Sequence, residues 1–432
     1  MKNQPARYDG KEITPGMERT SLRKRTFSSF KNPVFRLYFG GLLFQMFPMN
    51  MQMMARSLLI YRLTGSAAIL GAMAFAHAVP MLLLSLFGGV IADRVQKKYV
   101  MIAGQLGSAV VSLGVALTLT LGYLSADLAD SWWILIVASI LQGIIMGLMM
   151  PSRQAIIREI VSVEQLMNAV SLTTMGMNAL QLFAPALTGF LIDAFDFQSV
   201  YYVMTASYLV SVVFIAFMPP TGTTTIRGSS ALSDIKEGFK YLRHETTLLL
   251  ILAFTLFTVL LSMPYFHLMP IFADDILKVG GTEVGATGMG WLMSISGIGA
   301  IIGSITLASL PNKKRGLMLL ASGVILGLAL VNFSFSTSYS LSLAVMVIVG
   351  LGQTGRMTLG NTLLQYYVED EYRGRVMSIY MMQFGLSSFG TFAAGLIAES
   401  MGVQWAVGGF AMGLVFLSIL TLAFLPRIRK LD

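Results

Sequence analysis

Polar and apolar residues fall into long blocks along this chain, without the short alternation of a soluble amphipathic helix or strand. Twelve apolar stretches recur, at roughly 37–60, 67–91, 99–123, 131–152, 167–192, 198–218, 247–272, 286–309, 317–337, 340–366, 376–398 and 404–425. Runs of about 18 or more residues with few charges read as membrane spans. At a rise of about 1.5 Å per residue, each stretch crosses about 30 Å of hydrocarbon as a helix. Lipid offers no partner to an unpaired peptide group, and the two-residue alternation of a membrane barrel is missing. The predicted fold class is an all-α polytopic membrane protein with twelve transmembrane helices.

Composition agrees. Of 432 residues, 55% are hydrophobic and only 12% are charged, about half the charged share of a soluble domain. Mean hydropathy is +0.72. A soluble enzyme is excluded, because so few charges cannot cover its surface. Cysteine is absent, so there is no disulfide framework, thiolate nucleophile or zinc–thiolate site. Histidine occurs only at His77, His244 and His267, which leaves no basis for a metal site.

The net charge of +9 has two readings, nucleic acid or membrane topology, and the placement of the charges decides between them. Between successive spans, 26 of the 30 Lys and Arg fall on one side, in the tails and in the loops after spans 2, 4, 6, 8 and 10. The opposite loops hold Arg62 and Lys278, together with Asp127, Asp130, Asp274, Asp275 and Glu283. The positive-inside rule then puts both termini in the cytoplasm. Nucleic acid is not implied. Residues 1–36 are polar and basic, with no apolar core or small-residue cleavage site, and read as a cytoplasmic tail.

The chain also repeats. VSVEQLMNAVS (Val161–Ser171) parallels VEDEYRGRVMS (Val368–Ser378) at an offset of 207 residues. The helices that follow end alike, in GFLIDAFD (Gly189–Asp196) and AGLIAES (Ala394–Ser400). Two six-helix halves are therefore expected, at 37–218 and 247–425, with a central loop at 219–246 and a tail at 426–432. Within the central loop, LSDIKEGFKYLRHE (Leu232–Glu245) has the spacing and mixed charge of a surface helix.

Between spans 2 and 3, GGVIADRVQKK (Gly88–Lys98) fits G-x-x-x-D-R-x-x-[RK]-[RK], carried by Gly89, Asp93, Arg94, Lys97 and Lys98. At this spacing, in a twelve-span chain of two halves, it resembles motif A of the major facilitator superfamily. NPVFRLYFGGLLFQM, YRLTGSAAILG, MPSRQAIIREIV, LSDIKEGFKYLRHE and NTLLQYYVEDEYRGRVMSIY extend the likeness over nearly the whole chain. They resemble the bacterial exporter branch that includes the enterobactin exporter and macrolide efflux proteins. That resemblance implies the major facilitator fold, alternating access and export by proton antiport across a bacterial inner membrane. It also implies that Asp93 meets the start of helix 11, at Gly374 and Arg375, when the cytoplasmic side is shut. Gly89, Asp93, Arg94, Lys97 and Lys98 would then form a conformational gate. The helix dipole and free N–H groups there stabilise a carboxylate.

The chain departs from the wider family in three places. The second-half counterpart of the motif, GSITLASLPNKKR (Gly303–Arg315), lacks the Asp. Gln142-Gly143 is present, but Ser139 stands where many proton-coupled members have Arg. The antiporter motif survives only as Ala184-Pro185 with Gly189. No Asp or Glu lies mid-span; Asp93, Asp193 and Glu399 are at helix ends. The usual proton relay is therefore in question, and His77 and Asp93 remain as coupling candidates.

Charge within the spans is the informative exception. Arg356 lies near the middle of span 10, where a charge costs about 2.5–3.5 kcal/mol on insertion scales. Arg56, in the outer third of span 1, either faces a cavity or snorkels to the interface. His77, near the middle of span 2, either titrates or packs through a hydrogen bond. Helical spacing aligns Gln45, Gln52 and Arg56 on span 1, Asn178, Gln181 and Pro185 on span 5, and Gln353, Arg356 and Gly360 on span 10. Such stripes line a substrate path or bond helix to helix. The candidate cavity residues are Gln45, Gln52, Arg56, His77, Asn178, Gln181, Gln353 and Arg356. Two arginines without a central acid favour a substrate with anionic or acceptor-rich groups. The 30 methionines suit either a broad apolar site or lipid. GIGAIIG (Gly297–Gly303) follows no strand, and no Walker A sequence is present, which argues against an ATP-driven pump.

The expected function is secondary-active export of a small amphipathic molecule such as a drug, siderophore or secreted metabolite. The alternatives are a lipid or lysolipid flippase, or a sensor or scaffold that transports nothing. The expected partners are a small-molecule substrate, protons and the bilayer. A monomer is expected, with no cofactor or metal. No cluster of carboxylates or histidines suggests a membrane-embedded enzyme. If Asp93 is a latch, Asp93→Asn slows transport by up to about 30-fold, for ~2 kcal/mol at a helix N-terminus, while insertion is kept. A vesicle transport assay checks this, and wild-type flux in the variant contradicts it.

Overall fold

The computed structural model describes residues 28–126, 128, 130–220, 231–279, 281–310, 313–369 and 371–431. Most of the N-terminal tail, Asp127, and Arg227 in the central loop lie outside the described residues, as do the side chains of Asp93, Arg158 and residues 231–236. Twelve membrane helices run through the described chain. They are α1 (Pro33–Thr64), α2 (Ala67–Arg94), α3 (Lys97–Thr120), α4 (Trp133–Ile160), α5 (163–195), α6 (197–216), α7 (Thr246–Ser262), α8 (Gly285–Ser309), α9 (Arg315–Phe335), α10 (Tyr339–Tyr367), α11 (Arg373–Met401) and α12 (Val403–Phe424). The basic loop ends are termed inner and the opposite ends outer.

Three features show how sequence shapes these helices. Gln45, Asn50, Gln52 and Arg56 interrupt α1, making it less apolar than the other spans. α5 and α6 form one hydrogen-bonded run from Val163 to Ala216, kinked at Asp196, whose φ of 66° and ψ of 171° are not helical. That single break turns a 52-residue apolar segment into two spans. α7 breaks near Pro264 and Pro270 into the short helices Pro264–His267 and Met269–Ile271, since a proline ring removes a helical hydrogen bond. A short hairpin, β1 (Lys278–Val279) with β2 (Thr282–Glu283), follows at the outer end.

α4 extends to Ile160, eight residues beyond the predicted end of its apolar stretch at 152. Pro151 sits inside the helix without ending it. Arg153, counted above among the inner-loop charges, is instead a buried helical residue, with its guanidinium against the sulfurs of Met46 and Met150 at 3.5 and 2.8 Å.

Glycines set the packing, because lipid supplies no hydrophobic drive between helices and close backbone approach takes its place. In the first half α2 and α4 run backbone to backbone. A Cβ on Gly143 would lie 2.2 Å from the His77 carbonyl oxygen. Two seams join the halves. α2 meets α11 at Gly71 with Phe392 and at Leu82 with Gly385, and Phe75 packs edge-on to Phe389 at 4.9 Å. α5 meets α8 at Gly189 with Ala286 and at Pro185 with Gly290. Between the halves, a helix at Ala231–His244 rests on the inner end of α11. There Tyr241 stacks on Tyr372 at 4.2 Å, and Glu237 pairs with Arg375 at 3.0 Å.

Gly143→Ala therefore forces α2 and α4 apart. The expected loss is about 1–3 kcal/mol, as for other overpacked cores, read as a lower thermal midpoint in detergent. An unchanged midpoint contradicts the backbone contact.

Candidate functional site

The two halves are tied at their outer ends. Arg62, in the last turn of α1, pairs with Asp274 beyond α7 at 2.9 and 3.1 Å. The Tyr61 hydroxyl donates to Asp275. Two carboxylates then cap helices of the opposite half. Asp193 at the end of α5 accepts from the Thr287 N–H at 2.8 Å, in the first turn of α8. Glu399 at the end of α11 accepts from the Ser66 hydroxyl and the Ala68 N–H, both at 3.1 Å, at the start of α2. At the end of its own helix each carboxylate faces the negative pole; the partner's N-terminus offers free N–H groups and a favourable dipole. Four sets of contacts thus tie the two halves at the outer side of the interface.

Beneath this seal lies the first arginine. Arg56 is 6% exposed, and its Nη1 donates to the Ser139 hydroxyl of α4 at 3.3 Å, while Nε has no partner. His77 Nδ1 sits 3.3 Å from the Ser139 carbonyl oxygen, an acceptor, so the ring donates an N–H there. α1, α2 and α4 therefore converge on Ser139. Tyr201 and Tyr208 of α6 and His267 beyond the α7 break lie within electrostatic range of Arg56. Gln52 is buried one turn further in on the same face of α1. Gln45 is buried deeper still, with Nε2 on the Met149 sulfur at 3.3 Å and Oε1 unpartnered. On α5, Asn178 and Gln181 are exposed and join neither arginine by a hydrogen bond.

The second arginine is more isolated. Arg356 sits near the middle of α10, is 1% exposed, and has no partner on Nε or Nη2. Its electrostatic neighbours are Tyr265 and Tyr380, with no acid among them. Gln353 is half-buried with Oε1 unpartnered, and Gln383 of α11 is buried three residues after Tyr380 on the same helix. A guanidinium stays charged in proteins, and burying it without a counter-ion is strongly unfavourable. An anion or a strong acceptor is the chemistry this arrangement takes.

At the inner end the motif residues play separate parts. Lys97 is buried and pairs with Glu159 of α4 at 2.6 Å. Lys98 is buried and donates to the carbonyls of Ala216 and Met218, capping the end of α6, where a cation suits the helix dipole. Arg94 is exposed. Gly89 on α2 and Gly374 on α11 both face open space, since a Cβ on either would meet nothing within 4 Å. Arg375 is drawn to Glu237 and lies over the Tyr372 ring at 5.2 Å. Asp93 closes the last turns of α2.

Sequence reasoning missed three parts of this site. Tyr380 and Gln383 lie three residues apart on α11, so the polar-stripe rule applied to span 11 would have found them. Tyr265 would have followed from the prolines that break α7. The capping by Asp193 and Glu399 was foreshadowed by the repeat, because each acid stands four residues after a glycine, Gly189 or Gly395, at the matching helix end. Their partners across the interface are set only by the fold.

Comparison with known proteins agrees with this architecture. The family model described as the Major Facilitator Superfamily matches residues 38–389 and 281–432. The chain is 25% identical over 382 residues to an uncharacterized MFS-type transporter of Bacillus subtilis (strain 168), covering 85% of this chain and 87% of that protein. It is 23% identical over 340 residues to the staphyloferrin A transporter of Staphylococcus aureus, covering 78% and 83%. It is 21% identical over 377 residues to macrolide efflux protein A of Streptococcus pyogenes, covering 85% and 90%. Among solved structures, the peptide transporter POT in complex with sulfate superposes with a TM-score of 0.72 at 14% identity, over 93% of this chain and 96% of that one. At that identity the likeness concerns the fold alone.

If Arg356 is an unpaired charge awaiting a ligand, Arg356→Met relieves a desolvation penalty. The empty protein is expected to gain about 1–4 kcal/mol, the range for replacing buried charge by apolar volume, seen as a raised thermal midpoint. A lowered midpoint contradicts this and makes Arg356 a structural residue.

Proposed function

Since the chain belongs to the Major Facilitator Superfamily, a family of multi-pass membrane transporters, we propose that it exports a small amphipathic molecule with anionic or acceptor-rich groups. The observation that carries this reading is Arg356, buried near the middle of α10 with Nε and Nη2 unpartnered. Such a residue at mid-membrane serves a substrate or ion pathway in preference to stability.

The cycle alternates access to this site. Outer ties through Arg62, Asp193, Asp274, Asp275 and Glu399 hold the inner-facing form. Their release, with closure of the motif A gate at Asp93 onto the start of α11, gives the outer-facing form. Export is supported by the macrolide efflux relative, and a small-molecule cargo by both that relative and the staphyloferrin A transporter. The membrane is the bacterial cytoplasmic membrane, with both termini inside, as the charge distribution supports. Proton antiport in this chain relies on His77 and Asp93, because the spans hold no central carboxylate.

Inverted vesicles loaded with this protein test the reading. A panel of amphipathic compounds is offered from the outside, with and without a proton ionophore. Accumulation of at least one acidic or acceptor-rich compound is expected, falling about 100-fold or more in Arg356→Ala, in line with the loss of a buried charged contact. Loss of flux with the ionophore identifies proton coupling. Movement of labelled lipid between leaflets with no solute flux indicates a flippase, and no flux of any kind indicates a sensor; both contradict the proposal.

A further inference from the structure

We infer that a cavity at the inner end of the second half holds the phosphate group of an anionic phospholipid from the inner leaflet. The cavity, of about 330 Å³, is lined by Asn361, Thr362, Gln365 and Tyr366 of α10 and by Arg373 of α11. Arg315, at the start of α9, lies over the Tyr366 ring at 5.9 Å. The inner ends of three helices therefore meet there. This place is separate from the proposed transport site. Arg356 and Gln365 are nine residues apart on α10, about two and a half turns, which puts them on opposite faces of the helix.

The lining is cationic and rich in hydrogen-bond donors. Arg315 forms no ion pair among the described residues. No described acid lines the cavity; Glu369 and Glu371 of the following loop stand outside the lining. Gln365 donates to Asn361 Oδ1. The Asn361 N–H groups and the Thr362 hydroxyl donate to no protein group among the described residues. Arg315 and Arg373 are also the first residues of α9 and α11, and neither helix has an acid in its first turn. A helix N-terminus carries partial positive charge, so each guanidinium adds to a field that already favours an anion. A phosphate diester supplies that charge, and its oxygens match the arginine fork.

The level of the cavity makes a lipid its source. Basic pockets between membrane helices on the cytoplasmic side hold anionic headgroups. Tyr366 is 66% exposed at the inner helix end, as an aromatic of the membrane interface is. Met357 is exposed one turn nearer the membrane centre, on the same face as Asn361. It offers apolar surface to an acyl chain, from which a free phosphate gains nothing.

The test uses the full chain in detergent, with phosphatidylglycerol, phosphatidylcholine and glycerol 3-phosphate as probes, and counts bound molecules by native mass spectrometry. Phosphatidylglycerol is expected to bind more tightly than phosphatidylcholine. Arg315→Gln and Arg373→Gln should each weaken it about 5-fold, the value for one basic residue near an anionic surface. Gln365→Trp fills the cavity at unchanged charge and should also weaken it. An unchanged size-exclusion profile identifies folded variants, and Gln365→Trp carries the test where an arginine variant does not fold. Lys240→Gln with Arg243→Gln removes two charges from exposed positions of the helix Ala231–His244 and should leave the tightest site intact. Equal binding of the two lipids overturns the inference. So does a preference lost as readily in the Lys240 and Arg243 double variant as in the cavity variants. Binding of glycerol 3-phosphate that depends on Arg373, with no preference between the lipids, also overturns it and makes the ligand a soluble phosphate.

Discussion

The constraint on which this structure depends is that hydrocarbon solvates neither a peptide group nor a charge. It makes every crossing a helix and sends nearly every Lys, Arg, Asp and Glu to a helix end. It also gives the remaining charges their meaning. In water an unpaired arginine is unremarked surface; at the middle of α10, Arg356 is a standing penalty that only an acceptor relieves. The same constraint explains why helices meet through glycine and backbone, as at Gly143 and His77.

Helix ends do the second piece of work. The α5 and α11 termini carry Asp193 and Glu399, positions related by the internal repeat, and each caps the first turn of a helix in the other half. The seal is thus built twice from one device, with the Arg62–Asp274 pair and the Tyr61–Asp275 hydrogen bond beside it. Surface ion pairs are individually weak, about 0–1 kcal/mol. The outer contact between the halves is thus a set of several weak ties in place of one strong one. At the inner end, by contrast, Lys97 and Lys98 tie helices of a single half together. Two basic residues of the motif therefore brace the bundle.

Much of the architecture was legible in the sequence, because a membrane span is announced by composition over some twenty residues. The twelve helices, the two halves of the fold and the candidates Arg56 and Arg356 all came from such signals. What was not legible depended on contacts between distant segments. Nothing local says that Arg56 would rest on Ser139, 83 residues away, or that a serine there leaves room for it. The end of α4 was misplaced because its apolar run stops near Pro151 while its helix continues, and this moved Arg153 from loop to interior. Gln383 was legible as a polar stripe with Tyr380 three residues earlier on span 11, but that Tyr380 neighbours Arg356 of α10 is set only by the fold.

The central claim is that Arg356 is the receptor for an acidic group of the transported molecule. Cryo-electron microscopy of the protein in nanodiscs, with a compound it accumulates in vesicles, tests this most directly. The account predicts density of that compound within hydrogen-bonding distance of Arg356 Nε and Nη2, with an acceptor oxygen facing them. A loaded structure in which the Arg356 guanidinium is held entirely by side chains of the protein, with the compound bound elsewhere, would contradict it.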